Sequence, residues 1–161
     1  MLLKYALSNH GSIETVGAYA GFVADEDLFF SGTFGDDIVT FNASLGVAEV
    51  TERNTAAFPQ AVGVVPIAAG FDAPLNYEAH VTAAGDPLNS AGYFPLLSGG
   101  FPEGSPSVGP GEVRHVIGFG PFAIPAGGSR VVWFALVGAD NQTAFEANVD
   151  AARAKVQAGG L

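Results

Sequence analysis

Residues 130–137 read RVVWFALV, and residues 113–119 read VRHVIGF. Both segments are rich in the β-branched and aromatic residues that strands favour. Glycine and proline are concentrated in segment 120–128 between them, as expected for a connection between two strands. We therefore predict two strands here, which need further layers of structure to cover their apolar faces.

Upstream segments continue the same pattern. In segment 3–7, Leu3, Tyr5 and Leu7 alternate with more polar or smaller residues, which predicts a strand with one buried face. Segment 70–111 holds most of the prolines without a clear period, which indicates long loops with short strands or turns. Further strands are predicted at 16–28, 38–41, 46–50 and 61–68. The expected fold class is all-β: an antiparallel, jelly-roll-like β-sandwich with one C-terminal α-helix.

The helix is predicted at about 142–157. Thr143 and Glu146 have the spacing of a capping box, in which each side chain satisfies a backbone N–H group at the helix start. Four apolar residues then fall on one helical face, which predicts a helix that packs against a sheet. These residues are Phe145, Val149, Ala152 and Val156.

Composition limits the classes of function. The 161 residues fit one domain (1–161), and 48% of them are hydrophobic. The absence of cysteine excludes disulfides, thiolate zinc sites and cysteine nucleophiles. A net charge of −10 with only six Lys and Arg argues against nucleic acid as a partner. No segment is apolar for long enough to predict insertion in a membrane.

A cluster of carboxylates is the strongest candidate for a chemical site. Asp25 and Asp27 are two residues apart in a strand pattern, so both side chains are expected on one face, roughly 7 Å apart. Asp36 and Asp37 return after a glycine-containing loop. Oxygen ligands in this number suit a calcium ion, which would screen the repulsion between the carboxylates. The alternative is a solvated acidic turn.

Three histidines are weaker candidates. His10, His80 and His115 could form a transition-metal site, or one of them could act as a general base. Separate histidines without a joint role are the alternative. No nucleophile elbow of the Gly-x-Ser-x-Gly type occurs, so no serine is assigned as a nucleophile.

Two blocks of the sequence carry recognisable motifs. The first block reads LKYALSN at 3–9, YAGFVADEDL at 19–28 and DD at 36–37. The second block reads EVR at 112–114, GPF at 120–122, PAG at 125–127 and VWFALV at 132–137. Together they resemble a β-sandwich accessory module found in large secreted bacterial proteins, often C-terminal to subtilisin-like peptidases.

The resemblance implies a β-sandwich in an extracellular or cell-surface setting, and it implies no catalytic activity. Glu26 departs from the module, which has an aromatic residue there. The strands that precede Leu3 in the module are missing, so we expect an exposed N-terminal strand edge. A second copy or another domain of a parent protein could cover this edge. Because Met1 leads directly into the first predicted strand, we expect no signal peptide within these 161 residues.

These observations predict a non-catalytic, calcium-stabilised accessory or binding domain of a secreted bacterial protein. The alternative is a small calcium-dependent hydrolase that acts on an ester or a lactone. In that case the four aspartates would hold the metal, and one of the three histidines would relay a proton.

Overall fold

The computed structural model describes residues 1–25, 28, 35–52, 61–81, 90–99 and 107–159. Within these residues it contains nine strands and two helices. The strands are β1 (Leu2–Ser8), β2 (Thr15–Ala24), β3 (Asp37–Asn42), β4 (Val47–Glu52), β5 (Ala61–Ala69), β6 (Leu75–Val81), β7 (Ser107–Gly111), β8 (Val113–Ile124) and β9 (Ser129–Ala139). The helices are α1 (Ser90–Ser98) and α2 (Gln142–Gln157).

The strands form two sheets in which every neighbouring pair is antiparallel. The large sheet has six strands in the order β1-β9-β5-β4-β3-β7, and the small sheet has three in the order β2-β8-β6. Apolar side chains of both sheets share one core, so the two sheets pack face to face. The predicted antiparallel β-sandwich with a C-terminal helix is confirmed.

Side-chain alternation along the strands of the large sheet gives it two buried faces. On β9, Val132 and Phe134 point into the space between the sheets, whereas Ala135 points to the opposite face. The same division occurs on β5, where Val64 faces the small sheet and Val65 does not. The large sheet is therefore the middle layer of three.

Helix α2 forms the third layer. Its buried side chains are those that the helical spacing predicts: Phe145, Val149, Ala152 and Val156. The first three of them pack with Val47, Ala61, Val65 and Ala135 of the large sheet. A Cβ atom on Gly63 would lie 2.8 Å from Cζ of Phe145 and 2.6 Å from the carbonyl oxygen of Ala48. Glycine at this position lets the aromatic ring approach the strand backbone.

The predicted cap of α2 is wrong. Asn141, and not Thr143, is the N-cap residue, and its side-chain oxygen accepts a hydrogen bond from the Ala144 backbone N–H at 2.9 Å. Both residue types cap helices, so the capping-box spacing placed the N-cap two residues too late, although the predicted range of about 142–157 agrees with the observed helix.

Substitution Asn141→Ala is expected to destabilise the protein by about 1 kcal/mol, because the N–H of Ala144 loses its side-chain partner. Thr143→Ala should change the free energy of unfolding by less than about half of that amount. Urea denaturation of the two variants and the wild type measures both values. Equal losses in the two variants would contradict the assignment of Asn141 as the cap.

Segment 70–111 is more regular than the sequence predicts, since it contains β6, α1 and β7. Helix α1 carries Pro95 and has no amphipathic period that would have predicted it. It packs on the outer face of the small sheet, where Phe94 meets Tyr19 edge to face with ring centroids 5.5 Å apart. Tertiary contacts of this kind stabilise a segment that local sequence does not favour.

Segment 120–128, predicted as a connection, is also partly strand. Strand β8 continues through Gly120 and Pro121 to Ile124. Its pairing with β2 shifts register between Thr15 and Ala20, where the ladder becomes irregular. Such irregular pairing tolerates glycine and proline, which a regular central strand would not.

Candidate functional site: an acidic strand end and an open strand edge

Asp25 directly follows β2, at the end of the small sheet. Its Oδ2 accepts hydrogen bonds from Nη2 and Nε of Arg114, the latter at 3.2 Å. Arg114 precedes His115 on β8, and His115 pairs with Ala24, the last residue of β2. The guanidinium group already offsets the charge of one of the four predicted metal ligands.

Asp36 and Asp37 lie at the start of β3. Both side chains are buried, and that of Asp37 is fully inaccessible to solvent. Oδ2 of Asp37 accepts a hydrogen bond from the Leu28 backbone N–H at 3.2 Å. The Asp37 carboxylate therefore links the Leu28 backbone to the start of β3.

Glu52 adds a carboxylate that the sequence analysis did not single out. It lies opposite Asp37 in the register of β3 and β4, and it is also buried. Directly opposed residues have Cβ atoms roughly 5 Å apart, so the two carboxylates are close neighbours. The sequence could have predicted this pair, because a hairpin with its turn at residues 43–46 places residue 37 opposite residue 52.

The calcium prediction stays a prediction. Asp27, one of its four ligands, lies outside the described residues. Within the described parts of the chain, no three Asp, Glu or His side chains form a group that could hold a metal ion. Asp25 is bound by Arg114, whereas Asp36 and Asp37 are buried at the start of β3.

The three histidines are not brought together as one site. His10 follows β1 and is exposed, and His115 pairs with Ala24 at the far end of β2. Thr15 and Ala24 are the two ends of that strand, so roughly 30 Å separates them. The backbone of His80 pairs with Arg114 in the small sheet.

His115 is fully buried on the central strand of the small sheet. Its flanking residues in the register are Ala24 and Ala79, whose small side chains leave room for the imidazole. The ring of Tyr77 lies 6.3 Å away, centroid to centroid. Burial lowers the pKa of His115 from 6.5 to about 4, because the charged form cannot be solvated there. The imidazole is therefore neutral at physiological pH.

Among the described strands none pairs with the outer edge of β1, so this edge is open there: β1 is the first strand of the large sheet. Met1 exchanges two backbone hydrogen bonds with Leu136, at 2.7 and 2.9 Å, and the N–H of Asn9 donates to the Gly128 carbonyl at 2.9 Å. In an antiparallel pair the hydrogen-bonded positions alternate, so odd-numbered residues of β1 bond to β9. The N–H and C=O groups of the even-numbered residues point outward. These residues are Leu2, Lys4, Ala6 and Ser8.

A groove lies beside this edge, between β1, β9 and α2. It has a volume of about 480 Å³, and Leu2, Ala135 and Ala152 give it apolar walls. Lys155 and the amino group of Met1 place positive charge at its rim. A second depression of about 440 Å³ lies at the start of α2 and shares Gly138 with the first.

Comparison with protein-family models and with curated proteins gave no match to this chain. None of the helices in the described residues is both long and apolar enough to cross a bilayer.

Proposed function

We propose that the chain is a non-catalytic accessory or binding β-sandwich domain of a secreted bacterial protein, stabilised by calcium. The open edge of β1 is the observation that supports a binding role most directly. It presents four residues whose backbone N–H and C=O groups point away from the sheet, in the arrangement that accepts an added strand. The apolar groove beside it offers room for side chains of such a strand.

The secreted setting rests on the resemblance of segments 3–28 and 112–137 to accessory modules of secreted proteins. Accessory domains of large proteins commonly act through contacts with neighbouring domains. An open strand edge suits such contacts, because an added strand satisfies backbone groups without needing a deep pocket.

The calcium component rests on the carboxylates at the start of β3. Asp36 and Asp37 are neighbours in the sequence and both are buried, and adjacent carboxylates repel one another when ionised. A divalent cation would offset this repulsion and bind the oxygens that it prefers. Arg114 performs a related role for Asp25.

The alternative hydrolase needs a histidine that exchanges protons with a substrate. His115 is buried and its pKa is about 4, so it is a poor proton acceptor near neutral pH. His10 lies at the opposite end of β2 from Asp25. These placements count against His10 and His115 as the proton relay, whereas the side chain of His80 lies outside the described part of the structure.

Calcium is expected to raise the melting temperature by roughly 5–10 °C when its free concentration exceeds Kd about a hundredfold. The double variant Asp36→Asn with Asp37→Asn should lose this response. Asp150→Asn, a matched change at an exposed helical aspartate, should keep it. Differential scanning fluorimetry with added calcium and with EDTA makes the measurement.

The same samples, incubated with p-nitrophenyl acetate and γ-butyrolactone, should show no turnover above buffer. Calcium-dependent turnover that the double variant lacks would establish the hydrolase and overturn the accessory role. A melting temperature that neither calcium nor EDTA changes would remove calcium from the proposal.

A further inference from the structure

We propose that the strand accepted at the β1 edge is β1 of a second copy of this chain, in an antiparallel pair with twofold symmetry. This inference rests on the proposed binding role of that edge and names its partner. In one register, the outward backbone groups of β1 pair with those of its copy, and apolar side chains of the two strands lie opposite each other. In that register Tyr5 lies opposite Tyr5 of the partner, on the twofold axis.

Backbone pairing is complete in this register. Leu2 lies opposite the partner's Ser8, and Lys4 lies opposite the partner's Ala6, with the same two pairs repeated by symmetry. Each of these four positions is a hydrogen-bonded pair that exchanges two N–H···O bonds. Every outward N–H and C=O group of β1 therefore finds a partner, and the two large sheets become one continuous sheet.

The side chains that face the sandwich side of β1 are apolar along the whole seam. Leu3 lies opposite the partner's Leu7, and Tyr5 lies opposite its own copy. Tyr5 is 46% exposed in the single chain, and its ring contacts Phe134 edge to face at 6.1 Å. These positions are non-hydrogen-bonded pairs, in which cross-strand side chains approach most closely. The pairing therefore covers an aromatic side chain that the single chain leaves half exposed.

Neighbouring registers are less favourable. A shift of two residues in one direction places Lys4 directly opposite Lys4 of the partner, and like charges in that position destabilise a strand pair. A shift in the other direction leaves Leu2 and Leu3 without partners. The sequence of β1 thus selects the register centred on Tyr5.

The charge distribution permits this contact between two acidic molecules. Each chain carries a net charge of −10, but β1 and β9 contain no Asp or Glu. Repulsion between the two copies comes from more distant carboxylates, and salt screens it over about 10 Å at 0.1 M. The dimer is therefore expected to become tighter as the salt concentration rises.

Sedimentation equilibrium of the full chain over about a hundredfold range of concentration tests the proposal. We expect the wild type to shift from monomer to dimer as its concentration and the salt concentration rise. Ala6→Pro should remain a monomer, because it removes an outward N–H and leaves the hydrogen bonds between β1 and β9 intact. Ala6→Ser keeps that N–H and should dimerise as the wild type does. A wild-type monomer at every concentration, or equal association of the proline variant, would overturn the proposal.

A cysteine placed at the twofold axis gives an independent test in this cysteine-free chain. Opposed residues of a non-hydrogen-bonded pair have Cα atoms roughly 4.5 Å apart, within the range of a disulfide. Under mild oxidation Tyr5→Cys should form a covalent dimer at least about tenfold faster than Val16→Cys. Val16 is the matched control, since it is 73% exposed on the edge strand of the small sheet. Equal rates for the two variants would contradict the pairing.

The outcomes separate this inference from the proposed function. If the protein is a strict monomer and shows no ester or lactone turnover, a second copy is ruled out as the partner. The β1 edge would then bind a strand of another protein. Turnover in the hydrolase assay would overturn the accessory role whether or not the chain dimerises.

Discussion

Substitution Phe145→Ala is expected to lower the free energy of unfolding by about 4 kcal/mol. The ring is fully buried between α2 and the large sheet, where it lies against the backbone at Gly63. Its removal loses the transfer free energy of a large apolar side chain and leaves a cavity. The cavity cannot close easily, because β5 is hydrogen-bonded to β4 and β9 on both sides.

Urea denaturation, followed by far-ultraviolet circular dichroism, measures this loss. Asp150→Ala is the control on the exposed face of the same helix and should change stability by less than about 0.5 kcal/mol. Phe145→Leu keeps most of the apolar volume and should cost clearly less than alanine. A loss below about 1 kcal/mol for alanine would mean that α2 contributes little to the stability of the sheet.

The second large effect is a dependence of stability on pH that His115 causes. Its pKa is about 4 in the folded protein and 6.5 when the side chain is solvated. Below pH 6.5 the unfolded chain therefore binds a proton that the folded chain does not bind. Stability from this residue is fully present above pH 6.5 and is lost progressively as the pH falls to about 4. The loss amounts to about 3 kcal/mol.

Comparison with His115→Leu isolates this contribution, since leucine has a similar volume and does not titrate. Between pH 7 and pH 4, the wild type should lose about 3 kcal/mol more than the variant does. His10→Gln, a change at an exposed histidine, should follow the wild type. Parallel pH profiles for the wild type and His115→Leu would show that the folded protein accommodates the imidazolium form.

Helices and strands were predicted correctly where apolar residues recur along the sequence with a regular period. The spacing of Phe145 and Val149 predicted the buried face of α2, because a period of 3.6 residues directly reflects one covered helix face. The alternation in segment 3–7 predicted the strand β1, but none of its residues is fully buried, because β1 lies at the edge of the sheet. Helix α1 was missed because Pro95 and its weak amphipathic pattern give no such signal.

The candidate site was only partly predictable. The carboxylates Asp25, Asp36 and Asp37 were found by their density along the chain, and the structure describes all three. Their partners were not found, since Arg114 is 89 residues from Asp25 in the sequence. Glu52 was missed as well, although hairpin symmetry pairs it with Asp37. Contacts between distant segments follow from the order of strands, which local patterns do not specify.

The sequence by itself determined that strands 113–119 and 130–137 belong to an all-β sandwich, and that α2 covers a sheet with a defined set of side chains. These features depend on short-range periodicity, which the arrangement of neighbouring elements does not alter. Only the tertiary structure decided that β9, the strand of the RVVWFALV segment, lies between β5 and β1. The position of β1 at the sheet edge leaves its outward backbone groups exposed, and this long-range placement creates the surface where we propose that a second copy binds.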